Sequence, residues 1–87
     1  MKIAIMGYAG SGKTCLAKYL SEKLHIPVMH LDEVKYTREW KPIDDSQVLP
    51  KVARFLENEH WIIDGNYTYL FQKERLDAAD HILLMLL

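Results

Sequence analysis

The sequence has little of several features that mark whole classes of protein. One cysteine, Cys15, stands among 87 residues, which excludes an internal disulfide framework and fits a reducing, cytosolic setting. The net charge is −1 at pH 7, without a basic excess or a run of like charge, so nucleic acid is not an expected partner. The longest apolar run, residues 82–87, is far too short to cross a membrane. The remaining composition, 49% hydrophobic and 26% charged, is that of an ordinary globular protein.

One segment carries a specific functional signal. Residues 7–14, GYAGSGKT, match the pattern G-x-x-x-x-G-K-[ST]. An apolar run at residues 3–6 precedes the match and a helical pattern follows it, which is the strand–loop–helix context that the motif requires. The segment therefore predicts a phosphate-binding P-loop and a nucleoside triphosphate site.

The chemistry of the loop follows from its residue types. Glycines let the backbone bend until successive N–H groups point inward, and the helix that begins near Lys13 adds its own unpaired N–H groups. Lys13 can reach the β- and γ-phosphates, and the Thr14 hydroxyl is the usual Mg²⁺ ligand of such loops. The predicted nucleotide-binding residues are Gly7, Gly10, Ser11, Gly12, Lys13, Thr14 and Cys15.

The hydrophobic pattern predicts the order β-α-β-α-β-α-β. Such an order indicates an α/β P-loop fold with three layers, in which helices cover both faces of a parallel sheet. Pro50 is placed in the first turn of the helix after Asp45 or Ser46, and Leu24 on the inner face of the first helix. The predicted strands are residues 2–6, 28–31, 61–63 and 81–87, the helices begin at residues 12, 45 or 46 and 68, and residues 34–43 form a loop.

Two carboxylates end predicted strands and should meet the loop at one edge of the sheet. Asp64 follows an apolar strand and precedes Gly65, so it is either an Mg²⁺ ligand or the first residue of a turn. Asp32 either orients or deprotonates an acceptor hydroxyl, or is a solvated strand-end residue. The predicted catalytic residues are thus Lys13, Asp32 and Asp64, and the predicted metal ligands are Thr14 and Asp64.

Other candidates keep two interpretations. The aromatic and basic side chains of residues 34–43 suit a base or a phosphorylated acceptor, or belong to an exposed loop. Arg54 and Arg75 contact phosphate or are solvated helix charges. His30 is expected to be a strand-face residue, and Tyr67 to line an acceptor pocket or pack in the core.

The sequence resembles the adenylate-kinase-like P-loop group and, within it, the DNA topology modulation proteins. The resemblance covers essentially the whole chain, but only the first half of the family's length. It implies binding of ATP with Mg²⁺ and phosphoryl transfer to a small acceptor. The segments that carry the resemblance are residues 3–7 (IAIMG), 10–14 (GSGKT), 31–32 (LD), 61–67 (WIIDGNY), 75–76 (RL) and 79–80 (AD).

Two departures from the family qualify the expectation. Thr68 stands where nucleotide kinases of the adenylate type carry an arginine for the nucleoside monophosphate. The arginine-bearing lid and the last strand lie downstream in the family, so the chain is expected to be an N-terminal part with about four of five core strands. Alternatives to a kinase are a nucleotide-binding module without turnover and an inactive fragment that self-associates through its unfinished sheet edge.

Overall fold

The computed structural model describes residues 1–7, 12–67 and 70–85. Strands and helices alternate along the chain as the hydrophobic pattern predicts, except that an additional short helix, Leu31–Lys35, follows the second strand directly. In the described ranges, no helix has the length and apolar character needed to span a membrane. The elements are β1 (Lys2–Gly7), α1 (Lys13–Leu24), β2 (Val28–His30), α2 (Leu31–Lys35), α3 (Asp45–Leu56), β3 (Trp61–Asp64), α4 (Gln72–Ala78) and β4 (His81–Met85).

The four strands form one parallel sheet in the order β2-β3-β1-β4. All four residues of β3 are buried, as are Ile3, Ala4 and Ile5 of β1. Central parallel strands are covered on both faces, which explains why these segments are continuously apolar rather than alternating. The predicted α/β architecture with a parallel sheet is confirmed.

Helices pack on both faces of the sheet. On one face α1 contributes Ala17, which packs with Ile3, Ile5 and Ile62 of the central strands. The opposite face carries α3 and the short α2. Because successive strand residues point to opposite faces, the two cores take alternate residues of the same strands. The second core consists of Ala4, Met29, Leu31, Val34, Val48, Val52, Trp61, Ile63 and Leu70.

Several predicted boundaries are wrong for local reasons. Leu31 is not part of β2, because the chain turns after His30 into the short helix α2. Asp44, not Asp45 or Ser46, caps α3, and its carboxylate accepts a hydrogen bond from Ser46 N at 3.1 Å. Pro50 therefore lies inside α3, beyond its first turn.

Two helix predictions also need correction. The last helix begins at Gln72 rather than at residue 68, and Thr68 and Tyr69 lie outside the described residues. Leu24 is 44% exposed, because it is the last residue of α1 and the chain leaves the helix at His25 in a left-handed conformation.

Strand β4 forms one edge of the sheet. Its alternate residues Leu83 and Met85 pack toward the core beneath α1. Ile82 and Leu84 are 53% and 66% exposed, so this edge presents apolar side chains on the other face. Self-association through the sheet edge stays a prediction.

Candidate functional site

The carboxyl ends of three strands meet beside the glycine-rich loop. In the register of the sheet, Asp64 at the end of β3 lies opposite both Ile5 of β1 and His30 of β2. Gly7, the last residue of β1, begins the loop. The topology thus brings together strand ends that are far apart in sequence, as expected for a binding edge of an α/β sheet.

Gly7 has a position that only glycine can occupy. Its φ is 154°, and a Cβ atom added there would lie 2.3 Å from the carbonyl oxygen of Met85 on the neighbouring strand. The other predicted loop residues, Gly10 and Ser11, lie outside the described residues. The close approach of β4 to Gly7 explains the first glycine of the motif without reference to a ligand.

Within the described residues, the start of α1 has no side-chain cap. Gly12 is the N-cap, with φ 90°, none of these residues accepts a side-chain hydrogen bond from the first turn, and that turn contains no acidic residue. Thr14 and Cys15 are exposed in that turn, and Lys13 is half-buried. The unpaired N–H groups and the positive end of the helix dipole are therefore open to an anion.

The side chain of Asn66 holds the end of β1 in place. Its Oδ1 accepts a hydrogen bond from Gly7 N at 3.1 Å, and its Nδ2 donates to Gly7 O at 2.6 Å. The backbone beside it continues the same pattern, since Gly65 N donates to Ile5 O at 3.0 Å. The segment after β3 thus fixes the residue from which the glycine-rich loop departs.

Asp64 is a buried carboxylate that is hydrogen-bonded to a buried histidine. It is 1% exposed, and its Oδ2 is hydrogen-bonded to Nδ1 of His30, which is 8% exposed. Burial raises the pKa of the Asp64 carboxyl above its ordinary value. The interaction with His30 and the charge of Lys13 oppose this rise in pKa, while the charge of Asp32 adds to it.

The three predicted catalytic residues are electrostatic neighbours. Lys13 and Asp32 both act on the pKa of Asp64, one lowering it and the other raising it. Asp32 itself is exposed in the first turn of α2, and its Oδ1 accepts a hydrogen bond from the Tyr67 hydroxyl at 2.6 Å. Tyr67 thus contacts Asp32 and also packs on the core beneath α3, as one of its two interpretations expects, while its place in an acceptor pocket stays a prediction.

The donor set fits a hard divalent cation held partly by a nucleotide. Within the described residues, no three His, Cys, Asp or Glu side chains come together as a metal cluster. Mg²⁺ does not require one, because it is commonly bound by one or two carboxylates together with phosphate oxygens and water. Asp64 Oδ2 is engaged by His30, and no hydrogen bond from the described residues reaches Oδ1. That oxygen and the Thr14 hydroxyl are suitable ligands.

A cavity of about 510 Å³ opens beside Asp32. It is bounded by α2 and by the segment that connects α2 to α3. Tyr36 and Trp40 lie in its wall, with ring centroids 6.0 Å apart. Residues 37–42 are all exposed, so this segment is an exposed loop, as one of its two interpretations expects, and it also borders the cavity.

Arg75 is not a solvated helix charge. It is completely buried, and burial lowers the pKa of its guanidinium. Nε donates to Leu70 O at 2.9 Å, Nη1 to Gly65 O at 3.3 Å and Nη2 to Tyr67 O at 2.6 Å. Arg75 therefore organises the chain that follows Asp64. Arg54, in contrast, is exposed on α3 as expected for a solvated charge.

Sequence reasoning missed the roles of His30, Asn66 and Arg75. For His30 the available signal was a polar residue at the end of an apolar strand, two residues before Asp32. For Asn66 it was the position two residues after Asp64. There β3 has ended, and a side-chain amide can continue the hydrogen bonds between β1 and β3. Arg75 offered no comparable signal, since helix position alone does not distinguish a buried arginine from an exposed one.

Comparisons with solved structures agree with this architecture. A gluconokinase from Sinorhizobium meliloti 1021 matches with a TM-score of 0.57 and 21% identity, over 95% of this chain and 54% of its own. Over the matched residues, the chain therefore shares the α/β fold of this gluconokinase. An uncharacterized protein from Eubacterium ventriosum ATCC 27560 also matches, with a TM-score of 0.59 and 24% identity, over 99% of this chain and 53% of its own.

The chain spans about half the length of the structures that it matches. No family model matches the chain, and a search of curated proteins finds no match either. At these identities the likeness concerns the fold alone. The finer resemblance to DNA topology modulation proteins stays a prediction.

Proposed function

We propose that this chain binds Mg·ATP and serves the transfer of its γ-phosphoryl group to a small acceptor. The observation that carries the proposal is the position of the buried Asp64, which is hydrogen-bonded to His30, two residues before Asp32, and lies within electrostatic range of Lys13. This cluster lies at the carboxyl edge of a parallel sheet, beside the uncapped start of α1. A cation for phosphate, a carboxylate for metal and a second carboxylate for an acceptor are the groups that phosphoryl transfer needs.

Each residue has a distinct task in this proposal. The amides at the start of α1 and the Lys13 ammonium bind the phosphates, and Lys13 stabilises negative charge that develops during transfer. Thr14 and Asp64 would hold Mg²⁺, which supplies charge neutralisation on the phosphate oxygens. Asp32 orients the acceptor hydroxyl and accepts its proton. Asn66 keeps Gly7, and with it the loop, in register with β3.

The proposal distinguishes binding from turnover. A nucleotide-binding module without turnover needs only the loop, Lys13 and the metal ligands. A kinase also needs Asp32 and a place for the acceptor, and the cavity beside Asp32 supplies a place of suitable size. This cavity favours the kinase over the module.

Binding is tested by thermal unfolding with and without Mg·ATP. We expect the midpoint to rise for the wild type, because a ligand that binds only the folded state stabilises it by mass action. Lys13→Ala should lose most of the rise, whereas Lys18→Ala, an exposed lysine on the same helix, should keep it. The absence of any rise in the wild type would contradict nucleotide binding altogether.

Turnover is tested separately by ATP consumption in the presence of nucleosides, nucleotides and sugars. Acceptor-dependent consumption that Asp32→Asn abolishes, while its thermal shift with Mg·ATP persists, would support the kinase. Nucleotide binding without acceptor-dependent consumption would support the non-catalytic module instead.

A further inference from the structure

The cavity beside Asp32 has a definite chemical character. Its wall combines carboxylates, aromatic rings, one hydroxyl, one guanidinium and one aliphatic side chain. It opens at Asp32, two residues after His30, which is hydrogen-bonded to Asp64, so a molecule within it lies on the side of the proposed phosphate site. The lining residues are Asp32, Glu33, Tyr36, Thr37, Arg38, Trp40 and Ile43.

The charge of the lining is unfavourable for an anion. Asp32 and Glu33 contribute two carboxylates, against which Arg38 is the only cation among the described residues that line the cavity. The neighbouring lysines are engaged outside this lining: Lys35 Nζ is 2.9 Å from Asp45, and Lys41 Nζ is 3.4 Å from Glu39. A phosphate monoester in the cavity would face like charge with one compensating guanidinium.

The aromatic part of the wall suits a flat ligand. The rings of Tyr36 and Trp40 are inclined by 50°, and Trp40 is 73% exposed. Backbone hydrogen bonds fix the segment that presents them, with Thr37 N donating to Lys41 O at 2.9 Å and Ile43 N to Lys35 O at 2.7 Å. An exposed indole on an ordered segment offers a stacking surface at little entropic cost.

We infer that the acceptor is an unphosphorylated compound, neutral or cationic, with a flat ring and at least one free hydroxyl group. This inference rests on the proposed function. The ring stacks on Trp40 or Tyr36, and the carboxylates of Asp32 and Glu33 accept hydrogen bonds from hydroxyl groups. Oδ1 of Asp32 already accepts from Tyr67, which leaves Oδ2 for the acceptor.

The transfer step then balances with the groups named. The acceptor oxygen forms a bond to the γ-phosphorus of ATP, while the bond from that phosphorus to the β,γ-bridging oxygen breaks and ADP leaves. Asp32 takes the proton of the acceptor hydroxyl. No oxidant, reductant or further reactant is required.

Ribose, uridine and uridine 5′-monophosphate form a matched series of probes for this inference. Uridine adds a flat ring to ribose, and the monophosphate adds charge to uridine; a pyrimidine also avoids confusion with the adenine of ATP. Their binding is followed by tryptophan emission without ATP, with ribose measured by competition. Trp40 is exposed and Trp61 fully buried, so quenching reports on the cavity and should vanish in Trp40→Phe.

We expect uridine to bind about tenfold more tightly than ribose, since stacking of one base contributes about 1–3 kcal/mol. We also expect uridine to bind about tenfold more tightly than uridine 5′-monophosphate, because the carboxylates of Asp32 and Glu33 repel the phosphate. Glu33→Lys should remove this second preference, and Glu59→Lys, which changes an exposed carboxylate after α3, should preserve it.

Three results would overturn the inference: tighter binding of the monophosphate, equal binding of ribose and uridine, or no quenching of an iodide-accessible Trp40. A selective loss of monophosphate affinity in Arg38→Gln would also count against the inference, because it would show that Arg38 anchors a phosphate. The Mg·ATP thermal shift on the same protein keeps the two proposals apart. Uridine binding without that shift refutes the proposed function, whereas the shift without uridine preference refutes only the acceptor class.

Discussion

Asn66 binds both backbone groups of Gly7, across 59 positions of sequence. The amide oxygen accepts from the Gly7 N–H and the amide nitrogen donates to the Gly7 carbonyl. In a parallel pair these two contacts would come from two different residues of the neighbouring strand, whereas here one side-chain amide makes both. The side chain therefore extends the β1–β3 ladder to the residue at which the glycine-rich loop begins, without adding another strand.

Replacement of Asn66 by alanine should weaken both the fold and nucleotide binding. The variant loses two hydrogen bonds, each contributing about 1 kcal/mol, and frees Gly7 to move. We expect the Kd for Mg·ATP to rise about tenfold, equivalent to about 1.4 kcal/mol. Asn58→Ala is the control, since Asn58 also donates to a backbone carbonyl, that of Phe55, after α3. An unchanged Kd in Asn66→Ala would refute the role of this clamp.

The buried pair of His30 and Asp64 should show strong coupling. His30→Leu leaves the carboxylate buried without its partner, and we expect a loss of about 3 kcal/mol in the free energy of unfolding. The double variant with Asp64→Asn should recover part of that loss, because no uncompensated charge remains. Urea denaturation of the two single variants and the double variant gives the coupling energy. His60→Leu, an exposed histidine, is the control, and a similar small loss in both histidine variants would count against the pair.

The raised pKa of Asp64 has a consequence for the pH dependence of stability. The folded protein binds the proton of the Asp64 carboxyl more tightly than the unfolded chain does, because aspartates in an unfolded chain titrate at about 3.9. As the pH rises from the unfolded pKa through the raised folded pKa, ionisation of Asp64 progressively lowers the free energy of unfolding. Above the folded pKa this loss of stability is fully present. Asp64→Asn removes the cost, so its stability advantage over the wild type should grow across this window and then level off.

Asp44 provides a control of opposite sign for that experiment. Hydrogen bonds from Ser46 lower the pKa of the exposed Asp44 carboxyl. Its contribution is therefore present above the unfolded value and is lost as the pH falls through the lower folded value. Denaturation curves for Asp44→Asn and Asp64→Asn between pH 3 and pH 7 should diverge in opposite directions relative to the wild type. Parallel curves would show that burial does not control Asp64.

Gly65 should tolerate substitution poorly for two independent reasons. Its φ is 140°, and a Cβ atom would lie 2.7 Å from Cβ of Leu31. We expect Gly65→Ala to lower the free energy of unfolding by about 3 kcal/mol, combining backbone strain with overpacking. Gly12→Ala separates the two causes, since φ is 90° there but the nearest atom, Met85 Cε, is 3.9 Å away. The free energy of unfolding of Gly12→Ala, measured without nucleotide, should fall by about 1 kcal/mol.

Arg75 is expected to matter for stability through its geometry rather than its charge alone. Arg75→Met leaves three backbone carbonyls without their donor and should cost about 3 kcal/mol. Arg75→Lys should restore little of this, because one ammonium cannot reproduce the planar fork that contacts Gly65, Tyr67 and Leu70. Arg54→Met on α3 should change stability little. Full recovery in the lysine variant would show that charge suffices.

Much of the architecture follows from local patterns. The continuous apolar runs at β1 and β3 predict buried parallel strands, and the spacing of Val48 and Val52 predicts the inner face of α3. These properties depend on residues close together in sequence. Boundaries were less predictable, since whether Leu31 extends a strand or starts a helix depends on the core into which its side chain packs.

By itself, the sequence determined that this chain has an α/β order and a glycine-rich segment with the P-loop pattern, because periodicity and the glycine requirement are local. Only the tertiary structure decided the neighbours of that motif. The strand order places His30 against Asp64 across 34 positions and Asn66 against Gly7 across 59. It also buries Arg75. Such contacts depend on which strands pair and in what register, and each is satisfied only when the whole sheet has formed.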